Sequence, residues 1–107
     1  MIKSGVDLRG LSPQMAIAYT IAALIYAGHG KRCRITSGVE GKHGPNSLHY
    51  KGQALDLGTR DYQEQLQVMI RDELREALGG QFDVVLEATH IHVEFDPKEK
   101  QIDPEDR

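Results

Sequence analysis

Residues 47–56 read Ser47-Leu48-His49-Tyr50-Lys51-Gly52-Gln53-Ala54-Leu55-Asp56 and are the most informative segment of the chain. His49 and Asp56 stand seven positions apart across a turn that contains Gly52, so a loop and the strand after it could bring both side chains to one ion. Catalytic zinc sites typically take three protein ligands of histidine and carboxylate type and leave the fourth position to water. The segment therefore predicts two of the ligands of a metal site.

A second group of candidate ligands lies further along the chain, in Glu87-Ala88-Thr89-His90-Ile91-His92-Val93-Glu94. His90 and His92 are two positions apart on a predicted strand, so their side chains point to the same face of the sheet. Either of them could be the third ligand.

The two segments together carry a family resemblance over roughly residues 34 to 95. The pattern S-x-H-x-x-G-x-A-x-D, followed by His-x-His, resembles the zinc D-alanyl-D-alanine carboxypeptidases and dipeptidases. That family includes phage endolysins that cleave L-alanyl-D-glutamate bonds. The segments also resemble the signalling domain of Hedgehog proteins, which has the same fold and zinc site. The resemblance implies an α+β fold of the Hedgehog/DD-peptidase type and one zinc ion.

Carried over by position, the resemblance makes His49, Asp56 and His92 the zinc ligands. It makes Glu87 the general base for attack of zinc-bound water on a peptide carbonyl, and it gives His90 a catalytic role, either as a hydrogen-bond donor to the oxyanion or as a second group that shares the base role. In several family members the base lies three residues before the ligand, and this spacing would make His90 the ligand. The ending His-Val-Glu favours His92.

On the substrate side, the resemblance suggests that Ser47 binds the carboxylate of the substrate and that His43 matches a histidine that lines the groove of Hedgehog domains. Ser47 could equally bond the backbone of its own turn, and His43 could be an ordinary loop histidine. Many of the peptidases carry Ser-Gly-Tyr-Arg after the strand, whereas residues 37–40 read Ser-Gly-Val-Glu and lack the arginine. Arg34 or Lys42 could take its place, so the departure affects the substrate more than the metal.

The rest of the chain predicts two helices packed on one antiparallel sheet. We expect helices over about 13–28 and 61–78 and strands over 33–36, 54–57, 82–86 and 91–95, with a tight turn near Ala88-Thr89. Helical spacing predicts two buried stripes, Ile17, Ile21, Leu24 and Ile25 on the first helix, and Leu66, Ile70, Leu74, Ala77 and Leu78 on the second.

Composition limits the class of protein. The chain has 107 residues and a net charge of -3, and it shows no basic stripe, so nucleic acid is a poor partner. We expect a single domain over 1–95, a polar tail over 96–107 and a monomer. The longest apolar stretch, 15–28, is too short to span a bilayer. The start lacks the apolar core of a secretory signal, which predicts synthesis in the cytoplasm. This fits either a phage-type lysin domain that acts on the wall after release by a partner or a cytosolic dipeptidase.

The sequence thus predicts a zinc peptidase that acts on the peptides of peptidoglycan. Two alternatives stay open at this point. The first is a binding module that keeps zinc for structure, as Hedgehog domains do. The second is a degenerate peptidase that binds zinc and hydrolyses poorly because the substrate arginine is missing.

Overall fold

The computed structural model describes residues 2–40 and 51–97, and within them it shows two helices and a four-stranded sheet. The helices are α1 (Pro13–Gly28) and α2 (Glu64–Leu78). The strands are β1 (Ile35–Ser37), β2 (Ala54–Gly58), β3 (Phe82–Leu86) and β4 (His90–Phe95). The sheet is antiparallel with the order β1-β2-β4-β3. This confirms the predicted α+β class, with two helices and one small antiparallel sheet.

Helix α1 begins where the sequence predicts, but it buries a different face. The Ser12 side chain caps it by accepting a hydrogen bond from the Met15 backbone N–H. The predicted stripe is wrong at Ile17 and Leu24, which are 61% and 71% exposed. Its other two members, Ile21 and Ile25, are partly buried, and Ile25 packs against the core as predicted. The buried residues are Met15, Ala18, Ala22 and Tyr26. The helix has no charged residue, so the spacing of its apolar residues does not show which side is buried. The side that carries the small alanines is the buried one, because it permits a closer approach to the core.

Helix α2 follows the predicted pattern more closely. Ile70 and Leu74 are fully buried, and Leu66 packs against the core. Ala77 is exposed, contrary to the prediction. The helix also begins at Glu64 rather than near Asp61, because Asp61 has a φ of 69°, which lies outside the right-handed helical region.

The sheet has one face against the helices and one face with polar side chains. Its core face presents Leu55, Leu57, Ile91 and Val93, all at most 2% exposed. Residues opposite each other in antiparallel strands share a face, so Asp56 opposite His92 and Gly58 opposite His90 lie on the other side. The sheet register alone therefore gathers the candidate residues of β2 and β4 on one surface.

The chain enters β2 through a close backbone contact at Gly52. Its φ is +71°, and an added Cβ would collide with the Gly10 carbonyl oxygen. The Gly52 carbonyl also accepts a hydrogen bond of 2.9 Å from the Ser12 backbone N–H. Two residues later, Ala54 is fully buried. The glycine and the alanine of the S-x-H-x-x-G-x-A-x-D pattern thus stand at positions where the surrounding atoms leave little room for a larger side chain.

None of the helices formed by residues 2–40 and 51–97 is long and apolar enough to cross a membrane. The predicted tail over 96–107 falls almost wholly outside these residues.

Candidate metal centre

The centre of the polar sheet face is the pair Asp56 and His92. They are register partners on β2 and β4, and Asp56 Oδ1 lies 2.9 Å from His92 Nδ1. The side chains are 13% and 18% exposed, respectively. Two strands therefore hold a carboxylate oxygen and an imidazole nitrogen within hydrogen-bonding distance and with little access to water.

His92 has a second carboxylate partner, since its Nε2 lies 2.7 Å from Glu94 Oε1. Hydrogen bonding to Asp56, together with that to Glu94 and the charges of both groups, raises the pKa of His92 to about 9, against the opposing effect of burial. His92 is thus an imidazolium at neutral pH when no metal is bound. Because a metal ligand must be deprotonated, an ion at this position has to displace that proton.

His90 lies on the same face, nearer the hairpin that joins β3 to β4. Its Nε2 is 3.7 Å from Asp56 Oδ2 and 3.6 Å from Glu87 Oε1. Its other ring nitrogen, Nδ1, is 3.2 Å from the Thr89 hydroxyl. The hairpin is closed by a 2.8 Å hydrogen bond from the Glu87 backbone N–H to the His90 carbonyl, at the turn that the sequence predicts. Thr89 therefore helps to turn Nε2 of His90 towards the two carboxylates.

The donor set at Asp56 fits a zinc ion. Ligand atoms at 2.0–2.2 Å from a tetrahedral zinc lie about 3.3 Å from one another. The distances from Asp56 to His92 and to His90, 2.9 and 3.7 Å, stand on either side of that value. Among the described residues, Asp56, His90 and His92 do not converge as one three-residue group. Of the two histidines, His92 lies closer to Asp56.

Three of the predicted site residues lie outside the described residues: His49, Ser47 and His43. Their assignments as ligand, substrate contact and groove residue stay predictions. The remaining ones, Asp56, His92, His90, Glu87 and Arg34, are all described.

A second group with metal-binding potential is acidic. One carboxylate oxygen each from Asp83, Glu94 and Asp96 lie within 4.8 Å of one another, so this group could hold a metal ion. This group was not predicted from the sequence, because Asp83 lies on β3 and meets Glu94 only through the β3–β4 register. The group adjoins the Asp56–His92 pair through Glu94.

A cavity of about 530 Å³ opens beside the candidate ligands, and Asp56 and His90 form part of its wall. Arg34, predicted on the substrate side, also lines it. The cavity is lined by four cationic side chains, and we call it the basic pocket: Lys3, Arg32, Arg34 and Arg60. Arg60 lies in the loop after β2, and its place in this cavity was not predicted. Nothing in the sequence indicates that this loop lies against the segment that leads into β1.

Comparison with known proteins adds no relative. No protein-family model matches the chain, and a search of the curated proteins finds no match.

Proposed function

We propose that this protein is a zinc-dependent peptidase that cleaves peptide bonds of the cell wall, as a D-alanyl-D-alanine carboxypeptidase or an L-alanyl-D-glutamate endopeptidase. The observation that carries the proposal is the 2.9 Å approach of Asp56 Oδ1 and His92 Nδ1 across β2 and β4, with His90 and Glu87 beside it. In the proposal, zinc is held by His49, Asp56 and His92.

Zinc at this position supplies a Lewis acid that polarises a carbonyl and lowers the pKa of water to about 7. This matches the needs of peptide hydrolysis, in which a neutral amide resists attack by neutral water. The protein has to supply the remaining functions, namely a group that accepts and returns a proton, donors for the oxyanion and a cavity for the peptide.

Glu87 is the candidate proton carrier. Its side chain is 49% exposed at the end of the hairpin, so it can reach a substrate, and its Oε1 lies 3.6 Å from His90 Nε2. The carboxylate takes the proton from the attacking water and delivers it to the leaving amine. His90, whose Nδ1 contacts the Thr89 hydroxyl, lies beside Glu87, and its Nε2 can donate to the oxyanion that develops on the carbonyl oxygen.

The second candidate function is a zinc-containing binding module, or a degenerate peptidase, of the same fold without hydrolytic activity. The chain Asp56–His92–Glu94 favours it, because both ring nitrogens of His92 already have carboxylate partners without any metal. Such a pairing is also what a purely structural role requires.

The test is mass spectrometry of the fragments that the zinc-loaded protein releases from purified peptidoglycan. Release of D-alanine identifies a carboxypeptidase, and a cut between L-alanine and the D-glutamyl residue identifies an endopeptidase. The matched control is Glu87→Gln, which keeps the shape of the side chain but cannot accept the proton. If the wild-type protein binds zinc and releases nothing, the second candidate function replaces the first.

A further inference from the structure

The basic pocket has a charge opposite to that of the chain as a whole. The chain carries a net charge of -3, yet four cationic side chains line this one cavity against two acidic ones, Asp56 and Asp61. The cations come from separate segments: Lys3 from the N-terminal region, Arg32 and Arg34 from the segment that leads into β1, and Arg60 from the loop after β2. The fold therefore concentrates positive charge at this cavity.

None of these four cations forms an ion pair with another residue in the two described ranges. Arginines elsewhere are engaged: Arg9 pairs with Asp7, and Arg71 pairs with Asp72. Arg75 donates to the Val84 carbonyl. The cations of the basic pocket can therefore bind an anion from solution without first breaking an ion pair within the described residues.

Arg34 and Arg60 are held at the same end of β2. The Arg34 carbonyl accepts a 2.8 Å hydrogen bond from the Gly58 backbone N–H, and Arg60 follows Gly58 by two residues. Gly58 is in turn the register partner of His90. The backbones of the two arginines are thus fixed close to the candidate catalytic residue His90.

We propose that the basic pocket selects peptides that carry at least two carboxylates, with Arg34 and Arg60 as specificity-determining residues. Each guanidinium presents a planar fork that can bind one carboxylate in a bidentate manner. A single terminal carboxylate occupies one such fork, so a pocket with three arginines and a lysine fits a ligand with several negative charges. The inference rests on the proposed function for its peptide, and it deepens that function by naming the substrate class.

All four cations are exposed, so water and salt weaken each contact. We therefore expect a dicarboxylate peptide to bind about tenfold more tightly than its neutral counterpart at low salt, with each arginine contributing part of this preference. The preference should decrease as the ionic strength rises, because exposed charges are screened.

The experiment measures peptide binding without hydrolysis, on the full chain treated with a chelator. The probes are the tripeptide L-Ala-γ-D-Glu-L-Lys, which has two free carboxylates, and the same tripeptide with both carboxylates amidated. Dissociation constants are measured by calorimetry for the wild-type protein, Arg34→Gln and Arg60→Gln. Arg9→Gln is the matched control, because Arg9 is exposed and lies outside the basic pocket.

The expected result is tighter binding of the dicarboxylate, with the preference reduced about threefold by Arg34→Gln and by Arg60→Gln and unchanged by Arg9→Gln. Equal binding of the two peptides, or no binding of either at millimolar concentration, would overturn the inference. So would tighter binding of inorganic pyrophosphate than of the dicarboxylate. A dicarboxylate preference in a protein that hydrolyses no peptidoglycan would leave this inference standing and refute the peptidase, so the two failures are distinguishable.

Discussion

Asp56 and His92 face each other across β2 and β4, and their Oδ1 and Nδ1 atoms are 2.9 Å apart. Because the pair is fixed by backbone hydrogen bonds between two central strands, its geometry does not depend on the arrangement of a loop. A third ligand supplied by a loop can therefore approach a pair that is already in place, which lowers the entropy that has to be lost when an ion binds.

The first prediction concerns the origin of the raised pKa of His92. Asp56→Asn removes the charge and the strongest hydrogen-bond partner, so the pKa of His92 should fall from about 9 by about one unit or more, with Glu94 preventing a complete return to 6.5. The measurement is an NMR titration of the imidazole in metal-free protein. Glu87→Gln serves as the control and should leave this pKa unchanged. An equally high pKa in Asp56→Asn would show that Asp56 is not its cause.

The second prediction concerns the stability of the metal-free protein as a function of pH. The pKa of His92 is about 9 in the folded state and 6.5 in the unfolded state, so the folded protein binds the proton more tightly. The resulting stabilisation is fully present below pH 6.5, decreases as the pH rises, and is lost above about pH 9. The free energy of unfolding should decrease by about 3 kcal/mol over this range.

Urea unfolding at a series of pH values measures this decrease. His92→Gln should remove most of the slope between these two pH values while leaving other titrations in place. A wild-type protein whose stability is flat or rises between pH 6.5 and 9 would contradict the assignment.

The third prediction concerns the glycine of the S-x-H-x-x-G-x-A-x-D pattern. Gly52→Ala places a Cβ against the Gly10 carbonyl oxygen and also strains a residue at positive φ. Gly79→Ala is the matched comparison, because Gly79 has a φ of +82° but open space around it. Gly52→Ala should therefore destabilise the protein by about 2 kcal/mol more than Gly79→Ala, measured by chemical denaturation. Equal costs would mean that φ alone selects the glycine.

The fourth prediction concerns the two sides of α1. Leu24 is 71% exposed, so Leu24→Ser should change the free energy of unfolding by less than about 0.5 kcal/mol. Met15 is fully buried, and Met15→Ala should cost about 2–5 kcal/mol through lost burial and an internal cavity. Thermal unfolding of the two variants beside the wild-type protein checks both values. A larger destabilisation by Leu24→Ser would contradict the structure and would indicate that the side of α1 predicted from the spacing is the buried one.

The fold could be predicted from local signals where these were unambiguous. Ser12 and Pro13 marked the start of α1, and the Gly79-Gly80 pair marked the end of α2. The alternation of His90, Ile91, His92 and Val93 placed the ligands and the core on opposite faces of β4. The buried side of α1 could not be predicted, because a helix without charged residues has no charged face that would mark the side exposed to solvent.

The candidate site could be predicted in part, where its residues lie on strands. Asp56 and His92 are opposite each other in the register of β2 and β4. Because side chains alternate between the two faces of a strand, the spacing of polar residues in the sequence indicates which of them share a face. Glu94 as the second partner of His92 follows from the same period, since it lies two residues further on the same face. The approach of Arg60 to the site and the contact of Thr89 with His90 could not be predicted, because both depend on how the loops fold, and sequence spacing carries no information on that.

The central claim is that Asp56 and His92 hold a zinc ion, and the most direct test is the zinc content of the protein after zinc loading and exhaustive dialysis. The wild-type protein and His90→Gln should each retain one zinc per chain, while Asp56→Asn and His92→Gln should retain little or none, with all four checked for folding by circular dichroism. A wild-type protein that retains no zinc, or folded Asp56→Asn and His92→Gln variants that retain a full equivalent, would contradict the account.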